Sequence, residues 1–127
     1  MDKVFIVEDE PMLRFFYTQI LEEYGFEVVG PAKNGHEAVS MFKKFEEKPS
    51  VILMDHRMPI KNGIDAFKEI LKIDNHAIVI FASADTSIKE EALSLGAFSF
   101  KQKPFNIDYL MSNITKALES SKPLAFS

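Results

Sequence analysis

The chain contains no cysteine among its 127 residues. That removes thiol catalysis, cysteine-based zinc sites and a disulfide scaffold, and it fits a reducing compartment. No apolar run approaches the roughly 20 residues of a membrane span. The opening Met1-Asp2-Lys3 turns acidic too early, and Val4-Phe5-Ile6-Val7 is too short, for a secretory signal. Positive charge is not in excess either. Fifteen Lys and Arg against nineteen Asp and Glu leave a formal net charge of −4, which does not suit non-specific binding of nucleic acid. Repeats and low-complexity tracts are absent. What remains is 46% apolar and 27% charged, a normal balance for one globular domain. A chain of this length buries roughly two-thirds of its unfolded surface and folds without staples. The expectation is a soluble, cytoplasmic, single domain.

Short apolar runs alternate with longer amphipathic segments. The runs are Val4–Val7, Val28–Val29, Val51–Met54, Ala77–Ala82 and Phe98–Phe100. They are mostly unbroken, as in parallel strands buried on both faces. Gly30-Pro31 is expected to end the second run at once. Between the runs, apolar residues recur at helical spacing. Leu13, Phe16, Tyr17, Ile20, Leu21 and Tyr24 mark a first helix closed by Gly25, with Asp9 or Glu10 as its cap and Pro11 in its first turn. Further helices are expected over about Glu37–Phe45, Gly63–Lys72, Ser87–Leu95 and Ile107–Glu119. Five strand–helix repeats give an α/β fold with a doubly wound parallel sheet. Residues 1–119 form the domain, and 120–127 read as a C-terminal tail or linker.

In an open parallel sheet, ligands bind beyond the carboxyl ends of the strands. There the sequence places Glu8-Asp9-Glu10, then Asp55, then Ser83-Ala84-Asp85, then Lys103-Pro104. Glu8, Asp9 and Asp55 repel one another at short range, so a cation is their natural partner. Oxygen ligands without His or Cys favour Mg²⁺; the plainer alternative for Glu8-Asp9 is a solvated acidic loop. Asp55 directly follows the most buried run, which marks it out. Pro104 holds Lys103 toward extended geometry, and an X–Pro bond there is open to the cis form. The Lys103 ammonium can hold a phosphate oxygen as a point charge; standing alone it reads rather as a surface lysine. Ser83 can donate to the same oxygen or cap the following helix, a role for which Thr86 and Ser87 compete. A carboxylate nucleophile, a divalent cation, an ammonium and a hydroxyl together meet the needs of phosphoryl transfer to Asp. His36, His56 and His76 are expected to be merely solvated. Met12 and Phe15, beside the Leu13 and Phe16 edge of the first helix, are either buried core or apolar surface next to the site.

The ordered set Glu8-Asp9, Asp55-His56-Arg57-Met58-Pro59 with Gly63, Ser83-Ala84 and Lys103-Pro104-Phe105 resembles the receiver domain of two-component response regulators. The likeness runs from about Lys3 to Glu119. It implies a flavodoxin-like (βα)5 fold with strand order 2-1-3-4-5. It implies that Asp55 takes a phosphoryl group from a phosphohistidine of a sensor histidine kinase or histidine phosphotransfer protein. By the same resemblance Asp9, Asp55 and the Arg57 backbone carbonyl ligate Mg²⁺, with Glu8 acting through water. Lys103, Ser83 and the Ala84 amide hold the phosphoryl oxygens, and Phe100 joins Ser83 as a switch residue. A domain of this kind is not an enzyme with an external substrate; it promotes its own phosphorylation and dephosphorylation. It signals to a downstream partner or output domain, without binding nucleic acid or membrane itself. Three departures are mild: Glu-Asp for Asp-Asp, serine for threonine at Ser83, and phenylalanine for tyrosine at Phe100.

Other readings use the same architecture. A flavodoxin-type FMN module needs a Ser/Thr/Gly-rich phosphate loop after the first strand, where this chain has Glu8-Asp9-Glu10. A haloacid-dehalogenase-type phosphatase carries its nucleophile after the first strand, whereas Asp55 follows the third. A phosphorylation-independent interaction module on the receiver scaffold is the remaining alternative, against which the complete residue set argues.

Overall fold

The alternation of side chains along each strand builds two separate cores. The computed structural model describes residues 2–120; of the expected tail over 120–127, residues 121–127 lie outside the described residues. Strands β1 (Lys3–Val7), β2 (Glu27–Ala32), β3 (Val51–Met54), β4 (Val79–Ser83) and β5 (Ser99–Gln102) pair in parallel in the order β2-β1-β3-β4-β5. In β1, Val4 and Ile6 point to one face of the sheet and Phe5 and Val7 to the other. Helices α1 (Pro11–Glu23) and α5 (Ile107–Ser120) cover the first face through Tyr17, Leu21, Leu110 and Ile114. Helices α2 (Gly35–Lys44), α3 (Gly63–Ile73) and α4 (Lys89–Ser94) cover the second through Phe42, Phe67, Ile70 and Ala92. This is why β1, β3 and β4 read as unbroken apolar runs: both faces are dry.

The expected doubly wound α/β sheet is therefore observed, with local differences. β2 does not stop at Gly30-Pro31 but runs on to Ala32. A proline is tolerated because β2 is an edge strand, and the register shifts between Phe5 and Val7 where it passes. Gly30 has φ +95°, and an added Cβ would lie 3.0 Å from the Phe5 ring. Helix α2 begins at Gly35 because Asn34 caps it, accepting from Glu37 N at 2.8 Å. Glu10, rather than Asp9, caps α1, accepting from Met12 N at 3.2 Å. The helix expected over Ser87–Leu95 is a 3₁₀ turn, Thr86–Ile88, followed by the six residues of α4. Its cap is Asp85, which accepts from Ser87 N; neither Ser83, Thr86 nor Ser87 serves. Helix α5 extends one residue beyond the expected limit, to Ser120. Among the described residues, no helix is long and apolar enough to cross a membrane.

Candidate functional site

Four of the five strands, β1, β3, β4 and β5, end by handing polar side chains to the same rim. Glu8 follows β1 and is buried at 2% exposure; Asp55 follows β3 at 8%; Ser83 closes β4 at 1%. Asp9 is half-buried. Carboxylate oxygens of Glu8, Asp9 and Asp55 all lie within 4.8 Å of one another. Lys103, beyond β5 and before a cis Lys103-Pro104 bond, extends its ammonium into this cluster. Its Nζ donates to Glu8 Oε1 at 2.7 Å and lies 3.6 Å from Asp55 Oδ2. Lys103 is thus not a free surface lysine, and Glu8-Asp9 is not a solvated loop.

The backbone around Asp55 is held from several sides. The His56 amide donates to Asp55 Oδ1 at 2.8 Å. Gly63 N donates to His56 O at 2.9 Å, and α3 starts so close that a Cβ on Gly63 would sit 2.2 Å from Asp55 O. His56 was expected to be merely solvated; instead it is half-buried and its Nδ1 accepts from Ile64 N at 3.3 Å. The first turn of α3 has free amides that need such an acceptor. His36 and His76 are exposed.

The sequence does not reveal the side-chain roles of Arg14, Arg57 and Asp85. Arg14 Nη1 donates to the Glu8 and Asp9 carbonyls at 3.0 and 2.9 Å, fixing the acidic loop. A lone cation one turn into the helix that follows that loop was the available signal. Arg57 Nε donates to Asp85 Oδ2 at 3.0 Å. The two residues share a wall between a hollow of about 560 Å³ containing Asp9 and His56 and one of about 450 Å³ containing Asp55, Ser83, Ala84 and Lys103. Two loops far apart in sequence make this pair, so no local pattern announces it.

Burial dominates the electrostatics. It pushes the Glu8 carboxyl up to about 7, with the Asp55 charge adding and the Lys103 hydrogen bond opposing. Asp55 is raised for the same leading reason, with Asp9 adding, while Lys103 and the His56 amide draw it down. Tyr17, below the rim, has its phenol raised by burial and by the Glu8, Asp55 and Glu10 carboxylates. Asp85 is lowered to about 2 by its hydrogen bonds from Ser87 and Arg57. A cluster that raises carboxyl pKa values is one that a divalent cation relieves. The donor set, all oxygen with no sulfur or imidazole, fits Mg²⁺.

Beside this rim, α1 carries apolar surface. Met12, Phe15 and Phe16 are 74%, 64% and 47% exposed, so they are not core. Phe16 also lines a groove of about 500 Å³ between α1 and the start of α5, together with Tyr17, Pro104, Phe105 and Ile107. The rings of Tyr17 and Phe105 stack with centroids 6.3 Å apart. On the opposite face of the sheet, Phe100 is half-buried against the α3 and α4 side core, in register with Phe81 of β4.

Comparison with known proteins agrees with this geometry. Residues 4–115 match the model of the response regulator receiver domain. The chain is 41% identical over 116 residues to the chemotaxis protein CheY of Thermotoga maritima, covering 90% of this chain and 95% of the relative. It is 40% identical over 118 residues to CheY of Bacillus subtilis, covering 91% and 97%. Among solved structures, it superposes with a TM-score of 0.85 on a CheX–CheY–BeF3–Mg²⁺ complex from Borrelia burgdorferi, at 28% identity, covering 91% of this chain and 87% of that one. It superposes at 0.83 on the response regulator TrrA of Thermotoga maritima in complex with Mg²⁺–BeF, at 30% identity, covering 93% and 100%.

Proposed function

The chain belongs to the response regulator receiver family, a signalling domain rather than an enzyme of external substrates, and from that premise we propose that Asp55 is its phosphoacceptor. The observation that carries this reading is the convergence of Glu8, Asp9, Asp55 and Lys103 on one buried rim. The donor is a phosphohistidine of a sensor histidine kinase or histidine phosphotransfer protein. An Asp55 carboxylate oxygen attacks phosphorus, the P–N bond breaks, and the imidazole keeps the electron pair and takes up a proton. The product is an acyl phosphate on Asp55.

The site residues divide this work. The His56 amide on Oδ1 fixes one Asp55 oxygen and leaves the other, beside Lys103, to react. Lys103 transfers its ammonium from carboxylates to the incoming phosphoryl oxygens, and Ser83 and the Ala84 amide donate to the remaining ones. Glu8, Asp9, Asp55 and the Arg57 carbonyl are the groups that would hold Mg²⁺. When bound, that ion supplies charge neutralisation for the carboxylates and the phosphoryl oxygens. Phosphorylation then changes the surface offered to a downstream partner or output domain, in a cytoplasmic phosphorelay.

Acetyl phosphate tests this directly. With Mg²⁺, the intact mass should rise by one phosphoryl group, and Asp55→Asn should not label. Labelling of Asp55→Asn to the parent's level refutes the assignment, and an unlabelled parent favours a phosphorylation-independent module.

A further inference from the structure

Arg57 and Asp85 lie in the loops after β3 and β4, and both line the hollow that holds Asp55. Arg57 is largely exposed, its side chain at 78%, while the Asp85 side chain is held at 11%. Asp85 is the hub of the contact. Its carboxylate accepts from Arg57 Nε at 3.0 Å, from Ser87 N at 3.0 Å and from the Ser87 hydroxyl at 2.5 Å. Its own amide donates to Ser83 Oγ at 3.0 Å. Clamping the carboxylate between Arg57 and Ser87 fixes the Asp85 backbone, and the Asp85 amide in turn fixes the direction of the Ser83 hydroxyl.

We propose that the Arg57–Asp85 ion pair is a positioning device acting through Ser83, holding its hydroxyl in the resting orientation until an acyl phosphate on Asp55 breaks the pair. This rests on Asp55 being the phosphoacceptor. The phosphoryl group brings about −1.5 to −2 charge into the hollow that Arg57, Asp85, Ser83 and Lys103 line. It competes with the single charge of Asp85 for the guanidinium and repels the Asp85 carboxylate. Once Arg57 turns away, Ser87 alone holds Asp85, and Ser83 is released to donate to a phosphoryl oxygen. The pair therefore keeps the unphosphorylated chain in its resting form.

NMR of the full chain with Mg²⁺ tests this, using beryllofluoride as the phosphoryl mimic. Without the mimic, Arg57→Gln should move the Ser83, Ala84 and Phe100 resonances along the line joining the parent's resting and mimic-bound positions. Asp85→Asn should do the same, since it keeps an acceptor for Ser87 and loses the charge. The switched population should rise about two- to fivefold, the worth of one partly exposed ion pair. Arg57→Lys, which keeps the positive charge beside Asp85, should leave the resonances near rest. A purely structural role gives shifts off that line, and gives them in Arg57→Lys as well. Resonances unmoved in both single variants overturn the proposal while leaving the acceptor assignment intact. A parent that neither labels with acetyl phosphate nor responds to beryllofluoride overturns both.

Discussion

At Gly63 and Glu8, one atom or one proton changes the site. A Cβ at Gly63 would meet the Asp55 carbonyl at 2.2 Å and His56 Cα at 2.9 Å, both backbone atoms that do not swing aside. Gly63→Ala should cost about 1–3 kcal/mol, as an overpacked site does, and should slow acetyl phosphate labelling because the displaced atoms belong to Asp55, the proposed acceptor, and its neighbour. Urea unfolding and labelling rate check the two effects; a variant as stable as the parent contradicts the close approach. Glu8 concerns a proton. Burial raises its folded pKa from 4.5 to about 7, so the folded state binds the proton more tightly than the unfolded chain. Its stabilising contribution is complete below about pH 4.5 and is lost as pH rises through about 7. Asp55 is raised too and acts in the same direction. In metal-free buffer the decline in stability over this window should be flatter in Glu8→Gln than in the parent. Mg²⁺ should stabilise the parent more as pH rises, because its ligands must be ionised. An unchanged slope in Glu8→Gln would place the titration elsewhere.

At the scale of elements, α1 has two duties that its sequence mixes. Tyr17 and Leu21 are buried against the sheet, while Met12, Phe15 and Phe16 remain in solvent beside the rim. Such an apolar patch next to the proposed acceptor site suits docking of the proposed phosphohistidine donor. Phe15→Ala should slow transfer from the phosphohistidine donor by about tenfold, the loss of one well-packed aromatic anchor. Labelling by acetyl phosphate should be unchanged, and stability should stay within about 0.5 kcal/mol because the ring is exposed. Equal losses with both donors would instead indicate a folding defect. The contrast with α3 is instructive: Phe67 is fully buried against Phe81, and truncating such a ring costs about 3–5 kcal/mol.

For the whole molecule, the question is how charge at Asp55 reaches a distant face. Ser83 and Phe100 sit on adjacent strands, since Phe81 pairs with Phe100 and Ser83 with Gln102. Phe100 is half-buried against the core beneath α3 and α4. If Asp55 is phosphorylated as proposed, Ser83 should move toward the phosphoryl group, and the space it leaves should favour burial of the Phe100 ring. Completing that burial is worth up to about 1.5–3 kcal/mol, enough to bias a two-state equilibrium about tenfold or more. Phe100 has no hydroxyl to desolvate, so its inward state should already be populated at rest. In NMR spectra with and without beryllofluoride, shifts should extend from Ser83 through Phe100 to α4. Shifts confined to the neighbours of Asp55, or identical remote shifts in Phe100→Ala, would sink this coupling.

The residue pattern alone determined a great deal. Unbroken Val and Ile runs specify doubly buried strands, helical spacing specifies the covering layers, and strand ends locate Glu8, Asp9, Asp55, Ser83 and Lys103 on one rim. These are local signals with a fixed period, so they survive without knowledge of the fold. The continuation of β2 through Pro31 is different, because only its place at the sheet edge makes the missing amide tolerable. The capping of the 3₁₀ turn by Asp85 depends on loop geometry that several neighbouring residues could equally have supplied. His56 as an acceptor for α3, Arg14 across the acidic loop, and the Arg57–Asp85 pair join positions whose neighbours do not hint at one another. The exposure of Phe15 and Phe16, on the same helix as buried Tyr17, was likewise settled by which side of α1 meets the sheet. Composition and period fix what a segment is; only the packed chain decides which charges meet, because that choice is made by distance across loops.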